Sequence, residues 1–174
     1  MTNQIYYTGI GSRDPPSEIP PLMTRISKEL DSYGRYILRS GGARGSDTAF
    51  ELGTSTKEIF RPEDWLTNRF NNKDETYEIF RRFHPNYHRV KSEYSKALLC
   101  RNVYQVLGSD LHTPTKFIIC WTEGGAFIGG TSLALRIGQF HSIPIFNLGI
   151  THTRDQFLKL LDEGNLAKVL SVYG

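Results

Sequence analysis

Five short runs rich in β-branched and aromatic residues alternate along this chain with stretches of helical period. That alternation limits the fold more than any other feature. The runs are QIYYTGI (Gln4–Ile10), RYILRS, KEIFRP, TKFIICWT and IPIFNLG. After the first, Ile19, Leu22, Met23, Ile26 and Leu30 recur at helical spacing until Gly34. GSDTAFELG reads as a helix that starts near Ser46 or Asp47 and stops at Gly53. NYHRVKSEYSKALLCRNVYQVLG reads as one long helix or two, ending at Gly108. GGTSLALRIGQFHS is a helix opened by glycines, and TRDQFLKLLDEG a closing helix with Thr153 as its expected N-cap. Glu63–Tyr87 is polar and weakly patterned, which predicts an insertion or a surface excursion.

A strand followed by a helix and another strand implies right-handed crossovers and parallel pairing. The expected fold is α/β, a Rossmann-like three-layer sandwich with a mainly parallel sheet. The 174 residues suit a single domain over 1–174, with the polar excursion at about 63–87. Hydrophobic residues make up 39 % of the chain, enough for a real core. A net charge of +3 does not mark a nucleic-acid binder by itself. Cys100 and Cys120 lack CxxC spacing and sit in apolar contexts, so neither a disulfide framework nor a zinc site is expected. His84 and His88 are four apart, but Pro85 separates them and no third ligand is evident. No metal and no cofactor are expected. The N-terminal MTNQIYY lacks the features of a signal peptide, and no apolar run approaches the ~20 residues that span a bilayer. A soluble, cytoplasmic protein without a membrane partner is expected.

Three of the strand-to-helix junctions are rich in glycine: TGIGSRDPP (Thr8–Pro16), SGGARGSD (Ser40–Asp47) and WTEGGAFIGGTS (Trp121–Ser132). Such junctions lie at the carboxyl ends of the strands, where open α/β sheets bind ligands. Glycine admits close backbone approach, and the helix behind offers free N–H groups and a positive dipole end. One such loop is common in any α/β protein; three on one sheet edge argue for an anion site, most often phosphate. None is a standard fingerprint. GIGSRD lacks the third glycine of GxGxxG, and GGARGSD lacks the Lys-Ser/Thr of a P-loop ATPase.

The opening GIGSR, the SGGARGSD loop and the late GGT that begins a helix resemble the SLOG superfamily of Rossmann-like proteins. That group includes the DprA (Smf) and LOG families. SGGARGSD looks most like the DprA-type loop. The stretch from RNVYQVLG through TKFIICWTEGG to GGTSLALRIGQFHSIPIFNLG is similar to small stand-alone DprA-like proteins often encoded by bacteriophages. The resemblance runs from Tyr7 to about Leu148. It implies a nucleotide or nucleotide-derived ligand, a homo-oligomer and, for a phage-encoded chain, the host cytoplasm. In LOG enzymes an arginine on the helix before the last glycine loop joins a glutamate three residues beyond that loop's Gly-Thr in cleaving an N-glycosidic bond. Arg101 matches that arginine. Ser132, Leu133 and Ala134 follow Thr131, so the glutamate is absent; Asp47, Glu51 or Glu123 would have to replace it.

The ligand-binding candidates follow from the loops. Gly11, Ser12 and Arg13 come from the first, with Arg13 read as a phosphate partner. Gly41, Gly42, Ala43, Gly45 and Asp47 come from the second, and Gly129, Gly130 and Thr131 from the third. Asp47 either holds a ribose hydroxyl or caps the following helix. Arg101 and Asn102 stand in an otherwise apolar helix and need partners. Trp121 ends a strand at the ligand edge, to stack on a base or to pack in the core. The catalytic candidates are Arg101 and Glu51; Asp47 and Glu51 are four apart and share a helix face. RRFHPNYHRVK (Arg81–Lys91) mixes cations and aromatics as single-strand binders do, but an ordinary solvated helical face is the simpler reading. Three functions result: a nucleotide sensor or sequestering protein, an N-glycosidase on nucleoside monophosphates, or a DprA-like binder of single-stranded DNA.

Overall fold

The computed structural model describes residues 3–174. Its strands are β1 (Ile5–Gly11), β2 (Tyr36–Ser40), β3 (Lys57–Ile59), β4 (Phe117–Trp121) and β5 (Ile145–Asn147). They form one sheet in the order β3-β2-β1-β4-β5, and every pairing is parallel. Tyr7 of β1 pairs with Leu38 on one side and with Phe117 on the other. The FIICW run of β4 is apolar throughout because both of its faces are covered. Phe117, Ile119 and Trp121 point to one core, and Ile118 and Cys120 to the other.

The first core is closed by α1 (Ile19–Tyr33), α2 (Ser46–Leu52), α7 (Thr151–Asp162) and α8 (Leu166–Leu170). In α1 the residues Ile19, Leu22, Met23, Ile26 and Leu30 are buried, as their spacing predicts. The second core is closed by α3 (Pro62–Leu66), α4 (Lys73–Phe83), α5 (Glu93–Leu107) and α6 (Thr131–Phe140). Ser92 caps α5, its Oγ accepting from the Ser95 N–H at 3.0 Å.

The structure fills in one local reading and corrects another. The polar stretch at 63–87 is mostly helical, forming most of α3, all of α4 and the start of a 3-10 turn at Tyr87–Arg89. Each helix buries only a few side chains: Pro62, Asp64 and Trp65 in α3, Thr76 and Phe80 in α4. The closing helix begins at Thr151, so Thr153 lies inside it and caps nothing. The turn out of β5 is too short for a later start: the Ile150 N–H already bonds the Asn147 carbonyl at 3.0 Å. Among the described residues no helix is long and apolar enough to cross a membrane, and no cluster of side chains could hold a metal ion.

Candidate functional site

The order of the strands reverses at β1: the chain leaves it toward β2 and β3, then returns on its other side to β4 and β5. A cleft of about 620 Å³ opens at the carboxyl ends of β1 and β4, at that switch point. Gly11, Ser12 and Arg13 line it from the first loop, Ala43 and Asp47 from the second, and Gly129, Gly130 and Thr131 from the third. Arg101, Asn102 and Trp121 complete the wall among the sequence candidates.

Gly41, Gly42, Gly45 and Glu51 do not line the cleft. The Glu51 carboxylate accepts the Gly42 N–H at 2.9 Å, and Asp47 Oδ2 accepts the Ala43 N–H at 3.3 Å. The shared helix face of Asp47 and Glu51 therefore serves the loop itself. Two amides that looked free for phosphate are already committed, and Glu51 lies behind the loop, away from any ligand in the cleft.

The glycines of the second loop let parts of the chain touch. Gly45 has φ +81, and a Cβ there would run into the Arg13 carbonyl. Ser46 fastens the same contact, its N–H and Oγ both donating to the Ser12 carbonyl, at 3.1 and 2.7 Å. The Ser12 N–H in turn donates to the Trp121 carbonyl at 3.1 Å. At Gly41 a Cβ would come within 2.7 Å of Gln105 Oε1, 2.8 Å of Asp47 Oδ2 and 3.1 Å of Arg101 Nε. In the third loop Gly129 and Gly130 meet nothing within 4 Å at that position. Open backbone facing the cleft is thus found in the third loop, at the start of α6, whose N-terminus has no side-chain cap.

Two consecutive residues of α5 hold two loops. Arg101 Nη1 donates to the Gly41 carbonyl at 2.9 Å, and Asn102 Nδ2 donates to the Gly130 carbonyl at 3.0 Å. Arg101 is only 8 % exposed, and its Nε has no hydrogen-bond partner among the described residues. Gln105, one turn on, has both side-chain polar atoms unpartnered among those residues. The sequence signal for Gln105 was there: a third polar residue at i, i+1, i+4 in an apolar helix. Ser95, Leu98 and Leu99 of α5 also line the cleft, and no motif marked them; Ile128 lines it too, inside the third glycine loop but not singled out there.

Asp47 is 4 % exposed. Burial pushes its pKa up to about 7 from an ordinary 3.8. The nearby Arg101 guanidinium and the Ala43 N–H oppose that rise, while Glu51 adds to it. Burial also lowers the Arg101 pKa, although a guanidinium stays charged. Arg13 lines the cleft from the first loop and is exposed, with no side-chain hydrogen bond or ion pair among the described residues, and its charge helps burial lower the Arg101 pKa. Of the other acids at the rim, Asp14 is held by Arg44 at 3.1 Å and Glu123 is exposed. Trp121 lines the cleft but is only 9 % exposed and belongs mainly to the core.

A parallel five-stranded sheet between two helical layers, with its cleft at the switch point, defines a Rossmann-like α/β protein. No family model and no curated protein matches the sequence. Among solved structures, the chain is similar to DNA processing protein A from Helicobacter pylori, described for its single-stranded DNA binding mode. The match covers 93 % of this chain and 74 % of that one, with a TM-score of 0.55 and 17 % sequence identity. The two share a fold, and the fold of this chain is DprA-like.

Proposed function

We propose that the cleft holds one nucleotide of a single strand of DNA. Phosphate sits between Arg13 and the open Gly129–Gly130 backbone at the start of α6; sugar and base lie toward Trp121 and Ile128. The observation that carries this reading is the pair of cleft-lining arginines. Arg13 has no partner among the described residues, Arg101 has an unpartnered Nε, and burial raises the pKa of the acid beside Arg101, Asp47, which disfavours its negative charge. Such a wall attracts an anion. The fold shared with a protein described for binding single-stranded DNA supports the polymer over a free nucleotide.

A second reading is favoured by size. A cleft of about 620 Å³ suits one nucleotide-sized ligand, as a sensor or sequestering protein would need. One titration series separates the two. Labelled oligothymidylate of about 20 nucleotides, longer than one small fold covers, is titrated across salt, with a mononucleotide panel as competitor. Strand binding requires an affinity that falls steeply with salt, and Arg13→Ala should flatten the slope by about 0.7 per lost contact. No strand binding up to about 100 µM at low salt would overturn the reading. A thermal shift with a mononucleotide alone would then support the sensor. Released base in the same mixtures reads out the N-glycosidase for which Arg101 was a candidate; Asp47, the carboxylate beside it, would be its partner.

A further inference from the structure

We infer that a single strand of nucleic acid leaving the cleft continues over the face formed by the end of α4, the Tyr87–Arg89 turn and the C-terminal half of α6. This rests on the strand reading of the cleft and extends it to a second surface.

Charge is segregated onto this face. Ile79–Ser92 and Thr131–Ser142 contain Arg81, Arg82, Arg89, Lys91 and Arg136 and not one carboxylate. The whole chain carries +3, so these two segments at +5 leave the rest at −2. Of the two acids that adjoin the first segment, Glu78 is held by Arg81 and Glu93 by Lys96, each at 3.1 Å. A modest net charge therefore conceals a strongly basic side.

Aromatic planes are interleaved with those cations. The Arg82 guanidinium lies 4.3 Å over the Phe140 ring, and Phe83 meets the same ring edge-on at 5.2 Å. Arg81 lies 5.1 Å over Tyr87. Phe140 is 54 % exposed, though it is a large apolar ring. Arg136 lies close enough to His84 to help burial lower its pKa, which ties α6 to the segment after α4. A guanidinium stacked on a ring, as Arg82 is on Phe140, keeps its N–H edge free for phosphate, whereas Arg81 donates to Glu78 and Tyr87; exposed rings accept bases of any sequence. An ordinary solvated helical face needs neither feature.

The face is also continuous with the cleft. The chain passes from the Tyr87–Arg89 turn through Lys91 into α5, and Ser95, Leu98 and Leu99 of that helix line the cleft. Helix α6 starts in the cleft at Thr131 and ends at Phe140, a run of about 15 Å.

The test compares oligothymidylates of about 4 and about 20 nucleotides. The variant Arg81→Gln/Arg82→Gln/Arg89→Gln removes charge at exposed positions, and Phe140→Ser removes the ring alone. Melting curves establish that each variant folds. The triple variant should lose at least about tenfold in affinity for the long strand, with a salt slope shallower by about 2, and keep its affinity for the short one. Phe140→Ser should weaken the long strand without changing the slope. Long-strand binding equal to the parent in both variants overturns the inference and leaves the cleft reading standing. Absence of all strand binding by the parent overturns both. Equal losses for the long strand and for heparin or anionic vesicles overturn it too, marking a surface for polyanions in general.

Discussion

Replacing Asp47 with asparagine isolates the largest electrostatic cost in the site. The carboxyl is 4 % exposed, and its pKa is about 7 in the folded chain against an ordinary 3.8. Between those values the folded protein keeps a proton that the unfolded chain has released. Stability must therefore fall as pH rises from about 4 to about 7, and level off above. A displacement of about three pH units corresponds to about 4 kcal/mol. Asparagine keeps an oxygen for the Ala43 N–H, now held at 3.3 Å, and cannot ionise. The variant's stability relative to the parent should thus improve steadily from pH 4 to 7, by up to about 4 kcal/mol in total. For a chain of this length that is about 10 °C in melting temperature. Urea unfolding of both proteins at several pH values between 4.5 and 8 measures the difference, and the other titrating groups cancel in it. A difference that stays flat with pH would refute the placement of Asp47 as a buried acid that prefers to be neutral.

Other outcomes follow from the same contacts. Arg101→Met should cost about 3 kcal/mol, because it leaves Asp47 without its compensating charge and the Gly41 carbonyl without its donor; denaturation at pH 8 against pH 5 should show a larger loss at the higher pH. Gly45→Ala should destabilise by at least about 2 kcal/mol in urea unfolding, since a side chain at φ +81 would also strike the Arg13 carbonyl. Asn102→Ala should cost only about 1 kcal/mol, yet hydrogen exchange at Ser132 and its neighbours should speed up as the Gly130 carbonyl loses its donor.

The layered architecture was legible because local signals agreed with the global fold. The FIICW run, the spacing of Ile19 to Leu30 and the glycine junctions each pointed to the elements now seen. The convergence of three loops on one edge was legible too, since parallel strands place like ends together. What those loops do to one another was not. Glu51 and Asp47 were visible as a pair on one helix face, but their partners, Gly42 and Ala43, are set by how the chain turns back before α2. The scarcity of side chains in SGGARGSD also had two explanations, a close ligand or a close loop. The approach of Gly45 to Arg13 and of Gly41 to Gln105 shows that close packing within the chain is part of it. Four cations of the basic face were visible in RRFHPNYHRVK, but Arg136 and Phe140, which complete it, come from a segment about 50 residues away, and the net charge averages them all with acids elsewhere in the chain.

The pairing of Tyr7 with Phe117 joins residues 110 positions apart. On a ribosome adding about 5–20 residues per second, β1 waits roughly 5–20 s for its second neighbour to be made. During that wait β1 and β2 can pair, but one edge of the future central strand stays open, and neither the cleft nor the Asn102–Gly130 tie can exist. Nascent chains stalled before residue 117 should therefore be held by chaperones and lack any ligand response; chaperone release should follow the emergence of β4, and the ligand response should return only once the loop through Thr131 has emerged as well.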